Sequence, residues 1–279
     1  MTWLTMDEMY QAIYCLNCLD LRQETIPNIR RHYQGMLKGV VLPISTPPQS
    51  DMLFRARVLN DEPINQVKAL MAPPADKVTE YHRCNGPGHP LFYASVNDGY
   101  AALREVRPKK GDIAYLSMWH NTRKIPGFFC FARQRERDQV HFFSASQKHL
   151  FQFLERCFSE KISEGFSYKY KLTAAFAQHV SANHDGAAGS DIGADGKVSF
   201  RYPSVVRNGS ENVAMPPEWV EERLELVGVS KLQIVSFDES DYFPKVVCLD
   251  TAIDFSDGEI HWLGRAVSQF PEPKRLEFD

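Results

Sequence analysis

The chain has 279 residues, 43% of them hydrophobic, and a formal net charge of −3. That length suffices for one large domain, or one domain with extensions, and that charge excludes an extended nucleic-acid surface. No run approaches the ~20 apolar residues of a membrane helix. Residues 1–8 lack the basic start and apolar middle of a signal peptide, so the chain is expected in the cytoplasm with no membrane partner. Its six cysteines should be reduced there.

Thr5-Met-Asp-Glu8 reads as a capping box and predicts a helix over 5–21, with Met6, Tyr10, Ile13 and Tyr14 on one face. Cys15 and Cys18 form a lone C-x-x-C on that helix. Without a second Cys/His pair it reads as two half-buried thiols, and no metal is expected. A second helix is predicted over 29–37. Pro43, Pro47 and Pro48 mark a connector. The boundary placed there divides an N-terminal helical extension, 1–50, from a domain over 51–279.

Residues 52–58 read as a strand and 64–71 as a short helix that Pro73-Pro74 stops. Gly86-Pro-Gly88 is a turn and 91–96 a strand, with Asn97 as the cap of a helix over 98–106. Strands are expected over 113–119, 127–132 and 140–144. Leu150, Phe151, Leu154, Cys157 and Phe158 predict a helix over 146–162, followed by another over 170–182. The Gly/Asp-rich segment 184–196 reads as a loop and lacks the phosphate-loop pattern. A strand over 198–202 follows. Pro216-Pro217 starts a helix expected to run through 227, before strands over 232–237 and 246–249 and a polar tail. Consecutive strands rather than strict alternation predict an α+β fold.

One stretch carries most of the chemistry. Arg83, a Gly-Pro-Gly turn, Tyr93 and Glu105 fall close together, and Tyr202-Pro-Ser204 comes later. Arginine pairs its planar fork with phosphate oxygens. A tyrosine face packs on a nicotinamide ring. A carboxylate binds a ribose hydroxyl and stabilises an oxocarbenium-like transition state. Those parts suit holding a dinucleotide and breaking its glycosidic bond. Each also has a plainer reading: Arg83 as a surface ion-pair partner, Tyr93 as core, Glu105 as a solvated last-turn residue, Ser204 as a turn hydroxyl.

The arrangement resembles the RES domain family. The resemblance rests on Arg83-Cys-Asn-Gly-Pro-Gly with Tyr93 and Glu105, then Tyr202-Pro-Ser204-Val and Asn208-Gly-Ser-Glu-Asn212. Leu53-Phe-Arg-Ala-Arg57 is similar to that family's opening strand, with Arg55 as the match and Arg57 as the alternative. The likeness covers 52–216. It implies an ADP-ribosyltransferase-like fold, with a split, mostly antiparallel sheet around an NAD cleft and flanking helices. It implies that NAD is the substrate. Arg83, with Arg55 nearby, would bind the phosphates, and Tyr93 would pack at the nicotinamide end. Glu105 would be the catalytic carboxylate. Ser204 would help place the ligand, and Asn212 would support it.

The family includes bacterial toxins that consume NAD and are covered by an antitoxin, so a cognate Xre-type antitoxin is an implied partner. The extra residues before 52 and after 216, and the long helical segment 146–182, would then serve as a partner surface, a lid or an oligomer contact. The leading expectation is an NAD glycohydrolase or phosphorolase acting as a toxin. A protein ADP-ribosyltransferase using the same pocket is one alternative. A non-catalytic nucleotide-binding module is the other. Ser204 lacks the G-x-S-x-G elbow of a serine hydrolase.

Overall fold

The computed structural model describes residues 4–266 apart from 39, 41, 43, 46–50, 60–62, 131–143, 164, 183–196 and 239–243. The prolines of the expected connector, nearly all of the strand expected at 140–144, the Gly/Asp loop and the last part of the polar tail lie outside the described residues.

The N-terminal capping box is present: Glu8 N–H donates to Thr5 Oγ1 and the Glu8 carboxylate accepts from Thr5 N–H. It opens α1 (Met6–Asn17), which is followed by α2 (Ile26–Met36), capped by Thr25. α1 ends earlier than expected and buries Met9, Ile13 and Leu16, while Tyr10 and Tyr14 are exposed. The face is displaced because the purely apolar side chains at i, i+4 and i+7 take the core.

β1 (Ile44–Ser45), β2 (Met52–Val58) and β3 (Phe92–Val96) come next, then α3 (Gly99–Glu105). The helix expected over 64–71 is a 3₁₀ turn over Val67–Leu70. The α3 cap is Asp98, whose carboxylate accepts from Ala101 N–H at 2.9 Å. Asn97, expected in that role, instead adopts a left-handed conformation (φ 54°) and accepts from Met52 N–H at 2.8 Å. Asparagine is among the few residues that tolerate this region.

β4 (Ile113–Asn121), β5 (Gly127–Phe129), α4 (Ala145–Phe158), α5 (Lys171–Ala182), β6 (Ser199–Pro203) and β7 (Glu211–Met215) follow. The final elements are α6 (Glu218–Arg223), β8 (Leu224–Ser236), β9 (Lys245–Asp254) and β10 (His261–Trp262). The helix expected through residue 227 stops at Arg223, because Leu224-Glu-Leu-Val-Gly-Val pairs along β4 as strand β8. β7 falls where the sequence reading placed only a polar motif. There the neighbours β3 and β6 supply the ladder that the residue pattern does not announce.

The fold is α+β. Its strands run in the order β1-β5-β6-β7-β3-β2-β4-β8-β9-β10 and pair antiparallel except β5 with β6. The sheet has a narrow joint at its centre. β2 pairs with β3 only at Leu53–Val96 and Phe54–Ser95, whereas it pairs with β4 along its whole length. Beyond Phe54 the two strands are no longer paired, and Arg55 reaches back to the Tyr93 carbonyl at 2.8 Å. α3 lies close over this joint. A Cβ at Gly99 would come within 3.2 Å of Phe54 and Leu116, so glycine permits the approach.

β3 separates two cores with the two-residue period of a strand. Phe92, Ala94 and Val96 join a cluster with Leu53, Trp119, Trp219 and Val229. Leu91 and Tyr93 pack against the other cluster, in which Met9, Ile29 and Tyr33 meet Phe128, Phe158, Phe176 and Phe200. α1 and α2 thus contribute to the same core as α4, α5 and β6. Phe176 has no exposed area and touches the rings of Tyr33, Phe128 and Phe158. Phe176→Ala is expected to cost about 3–5 kcal/mol, read as a lower midpoint in urea unfolding. A loss below about 1 kcal/mol would show that α1, α2 and α5 do not unfold together with the sheet.

Candidate active site

A cavity of about 560 Å³ opens where β2 and β3 part. That volume lies in the range of small-molecule sites. Its walls include Arg55 of β2, Tyr93 and Ser95 of β3, Glu105 of α3, Asn212 of β7 and Arg83 from the loop before β3. Ser204 joins through its hydroxyl, which donates to Glu105 Oε1 at 2.9 Å. All six residues singled out from the sequence therefore meet in one place. Arg57, the alternative to Arg55, donates instead to the Ala69 carbonyl.

Loop 82–89 is held by a closed set of bonds. His82 N–H donates to the Asn85 carbonyl at 2.8 Å. The Tyr93 hydroxyl accepts from Cys84 N–H at 2.9 Å and donates to Asn85 Oδ1 at 2.6 Å. Burial, first, and then the neighbouring Cys84 and Tyr202 push the Tyr93 hydroxyl well above its ordinary pKa, so it stays protonated and keeps donating. A Cβ at Gly86 would meet the Tyr81 ring at 2.7 Å, so any larger residue there would have to displace that ring. The Tyr93 hydroxyl is thus committed to the loop, and only its ring is available to a ligand.

Arg83 is 7% exposed. It donates to the Phe158 carbonyl at 2.6 Å and to the Glu160 carbonyl at 3.3 Å, and lies over the rings of Tyr170 and Tyr202. Phe158 ends α4, where backbone carbonyls lack helical partners and the helix dipole favours a cation. The arginine is therefore a clamp on the end of α4 as well as a wall of the cavity.

Arg55 is placed differently. One Nη–H donates to the Tyr93 carbonyl and the guanidinium lies over the Phe92 ring. Its Nε is buried without a hydrogen-bond partner, and no carboxylate among the described residues pairs with it. Burial, with a smaller contribution from Arg57, pulls its pKa down to about 10. A cation desolvated and left without an anion is a natural receptor for one.

Glu105 is the last residue of α3, and its side chain is anchored from two directions. Oε1 accepts from Ser204 Oγ and, at 2.6 Å, from Asn212 Nδ2. Ser204 is itself fixed, because its N–H donates to the Ser210 carbonyl at 2.8 Å and its Oγ accepts from Val206 N–H at 3.3 Å. α3 is bracketed by two left-handed non-glycine residues, Asn97 (φ 54°) and Arg107 (φ 44°), and Arg107 also lines the cavity. Such conformations persist only where the surroundings enforce them. Asp98 supplies part of that enforcement, accepting from Ala101 N–H, Arg207 Nε at 2.5 Å and Ser210 Oγ.

Sequence reasoning missed Asn85, Ser95, Tyr170 and Tyr202 as lining residues. Ser95 was recoverable, because the two-residue strand period places it beside Tyr93 on one face. Tyr202 stood in the Tyr-Pro-Ser segment without an assigned role. Tyr170 reaches the site from the connector between α4 and α5, which also lends Ile162, Ser163 and Ser167 to the cavity wall, and nothing local signals it.

Cys15 is half-buried and Cys18 exposed at the end of α1, and no cluster of metal-ligating side chains occurs among the described residues. None of the helices among the described residues is long and apolar enough to cross a membrane. Comparison of the chain with protein-family models, with curated proteins and with solved structures gave no match.

Proposed function

We propose that this chain cleaves the bond between nicotinamide and ribose in NAD, as an NAD glycohydrolase or phosphorolase. The observation that carries the reading is the joining, in one cavity, of a doubly anchored carboxylate with a buried arginine that has no counter-charge among the described residues. The likeness to RES domains rests on the residues alone. An ADP-ribosyltransferase-like split sheet belongs to the same proposal, and the two-pair joint between β2 and β3 supports it.

In this mechanism the C1′–N bond breaks and its electron pair moves to the ring nitrogen, so nicotinamide leaves neutral and needs no strong acid. Positive charge grows on the ribose. The Glu105 carboxylate faces that charge, and Oε2, which no described residue hydrogen-bonds, is left to meet the ribose. The Tyr93 and Tyr202 rings form the apolar wall for the leaving group. Water, which gives up a proton to solvent as it bonds, or an ionised oxygen of inorganic phosphate then adds to C1′.

Arg55 becomes the principal phosphate ligand, because its buried charge gains most from an anion, whereas Arg83 is already spent on backbone carbonyls. Arg55→Met is accordingly expected to change stability by less than about 1 kcal/mol, since it removes a desolvated charge along with one hydrogen bond. The same change should weaken NAD binding at least about 10-fold, the loss of one charge-assisted contact. Titration of NAD by calorimetry, beside urea unfolding, measures both. Unchanged affinity would remove Arg55 from the site.

A toxin role, with an Xre-type antitoxin over the cavity, rests on the family likeness. The deciding assay is release of free nicotinamide from NAD by the full chain, with and without phosphate. Release establishes cleavage, and acceleration by phosphate names the phosphorolase. NAD labelled in the ADP-ribose half would mark a protein only in a transferase. A raised melting temperature with NAD but no release would identify a binding module instead.

A further inference from the structure

Ser95 has no contact with the Glu105 carboxylate among the hydrogen bonds of the site, yet it decides how that carboxylate is held. It stands directly across from Asn212 in the β3–β7 ladder. Its hydroxyl donates to Asn212 Oδ1 at 2.7 Å, and the same amide donates through Nδ2 to Glu105 Oε1 at 2.6 Å. Ser95 is 2% exposed and Asn212 5%, so water does not readily replace either partner.

The two ends of the Asn212 amide are chemically opposite. At 2.6 Å from a carboxylate oxygen only the NH₂ end is tolerable, because the other orientation sets two electron-rich oxygens against each other. Fixing the NH₂ toward Glu105 turns Oδ1 toward Ser95, where a donor is required. The serine hydroxyl supplies it. Glu105 draws on this support, since it closes a seven-residue helix and is an exposed residue whose carboxylate accepts hydrogen bonds from Ser204 and Asn212. Of its two anchors, Ser204 fixes one direction and Asn212 the other.

We infer that Ser95 is a positioning residue: it anchors the Asn212 amide in the orientation that the carboxylate sets, and through it holds Glu105, so that Oε1 is occupied and Oε2 faces the ligand. The kinetic consequence rests on the proposed NAD cleavage; the orientation itself does not. Groups of this kind must be held within about 0.5 Å of productive geometry, and loss of an outer support costs roughly 10- to 100-fold in activity. Such a loss falls on kcat, because Ser95 orients the group that answers charge in the transition state and does not anchor the phosphates.

The test uses the full chain, ¹⁵N-labelled, as wild type, Ser95→Ala, Ser95→Thr and Glu105→Ala, with backbone amide spectra confirming the fold of each. In the wild type the Asn212 side-chain NH₂ should show one proton displaced downfield by its bond to the carboxylate, identified by its loss in Glu105→Ala. Ser95→Ala should lose the displacement as well, and Ser95→Thr, which keeps the hydroxyl, should retain it. In nicotinamide release, Ser95→Ala should lower kcat roughly 10- to 100-fold with KM within about twofold, and Ser95→Thr should recover most of the rate. An unmoved Asn212 signal in Ser95→Ala overturns the inference. So does a loss expressed as a raised KM with kcat intact. If the wild type releases no nicotinamide, the NAD reading fails on its own, while the amide signal still decides the orientation.

Discussion

Glu105→Gln is expected to lower kcat for nicotinamide release by about 10²–10³-fold, the size of loss on removing one preorganised charge-stabilising group. NAD should still raise the melting temperature. The substitution is informative because its geometry is nearly silent. A glutamine carbonyl accepts from Ser204 Oγ and Asn212 Nδ2 as the carboxylate does, so both anchors survive. What disappears is the negative charge that the proposed mechanism sets against the ribose. Stopped-flow or discontinuous nicotinamide release, with thermal unfolding in the presence of NAD, checks both halves. Turnover within threefold of wild type would remove Glu105 from the chemistry. Lost binding together with lost turnover would make it a ligand of the ground state.

Arg83→Ala is expected to destabilise the protein by about 3 kcal/mol, read from the midpoint and slope of urea unfolding. The change strips the partner from the Phe158 and Glu160 carbonyls and empties the space between the Tyr170 and Tyr202 rings. Hydrogen bonds to a charged group are worth about 1.5–3 kcal/mol, and the carbonyl of buried Phe158 left without this donor adds to the loss. Arg83→Lys should fall between, since an ammonium keeps the charge without the planar fork that spans two carbonyls. The contrast with Arg55→Met separates the arginines: one holds the end of α4, and the other waits for an anion. If Arg83→Ala unfolds at the wild-type midpoint while NAD binding is lost, the assignments are reversed.

Much of the site was legible before the fold. Arg83, Tyr93 and Glu105 stand within one loop–strand–helix segment, and local rules place the turn, the strand and the helix that carry them. β2, α1 with its capping box, and the α+β class follow likewise from alternation, capping and element order. The misplacements have a common cause. β7 and the first half of β8 are strands because neighbouring strands offer them hydrogen bonds, and the sequence windows themselves read as a polar motif and a helix.

Tertiary structure alone decided the rest. Ser204 and Asn212 lie about a hundred residues from Glu105, and only the β6–β7–β3 ladder brings their donors to its carboxylate. The two arginines have the same chemistry in sequence. Their division of labour comes from what surrounds each: helix-end carbonyls around Arg83, and a buried position with no counter-charge among the described residues around Arg55. The sequence by itself determined which reactive groups the chain carries and the local elements that bear them. Which oxygen of Glu105 is tied, which arginine is free to bind, and where the sheet opens depend on contacts between distant segments, which no local pattern encodes.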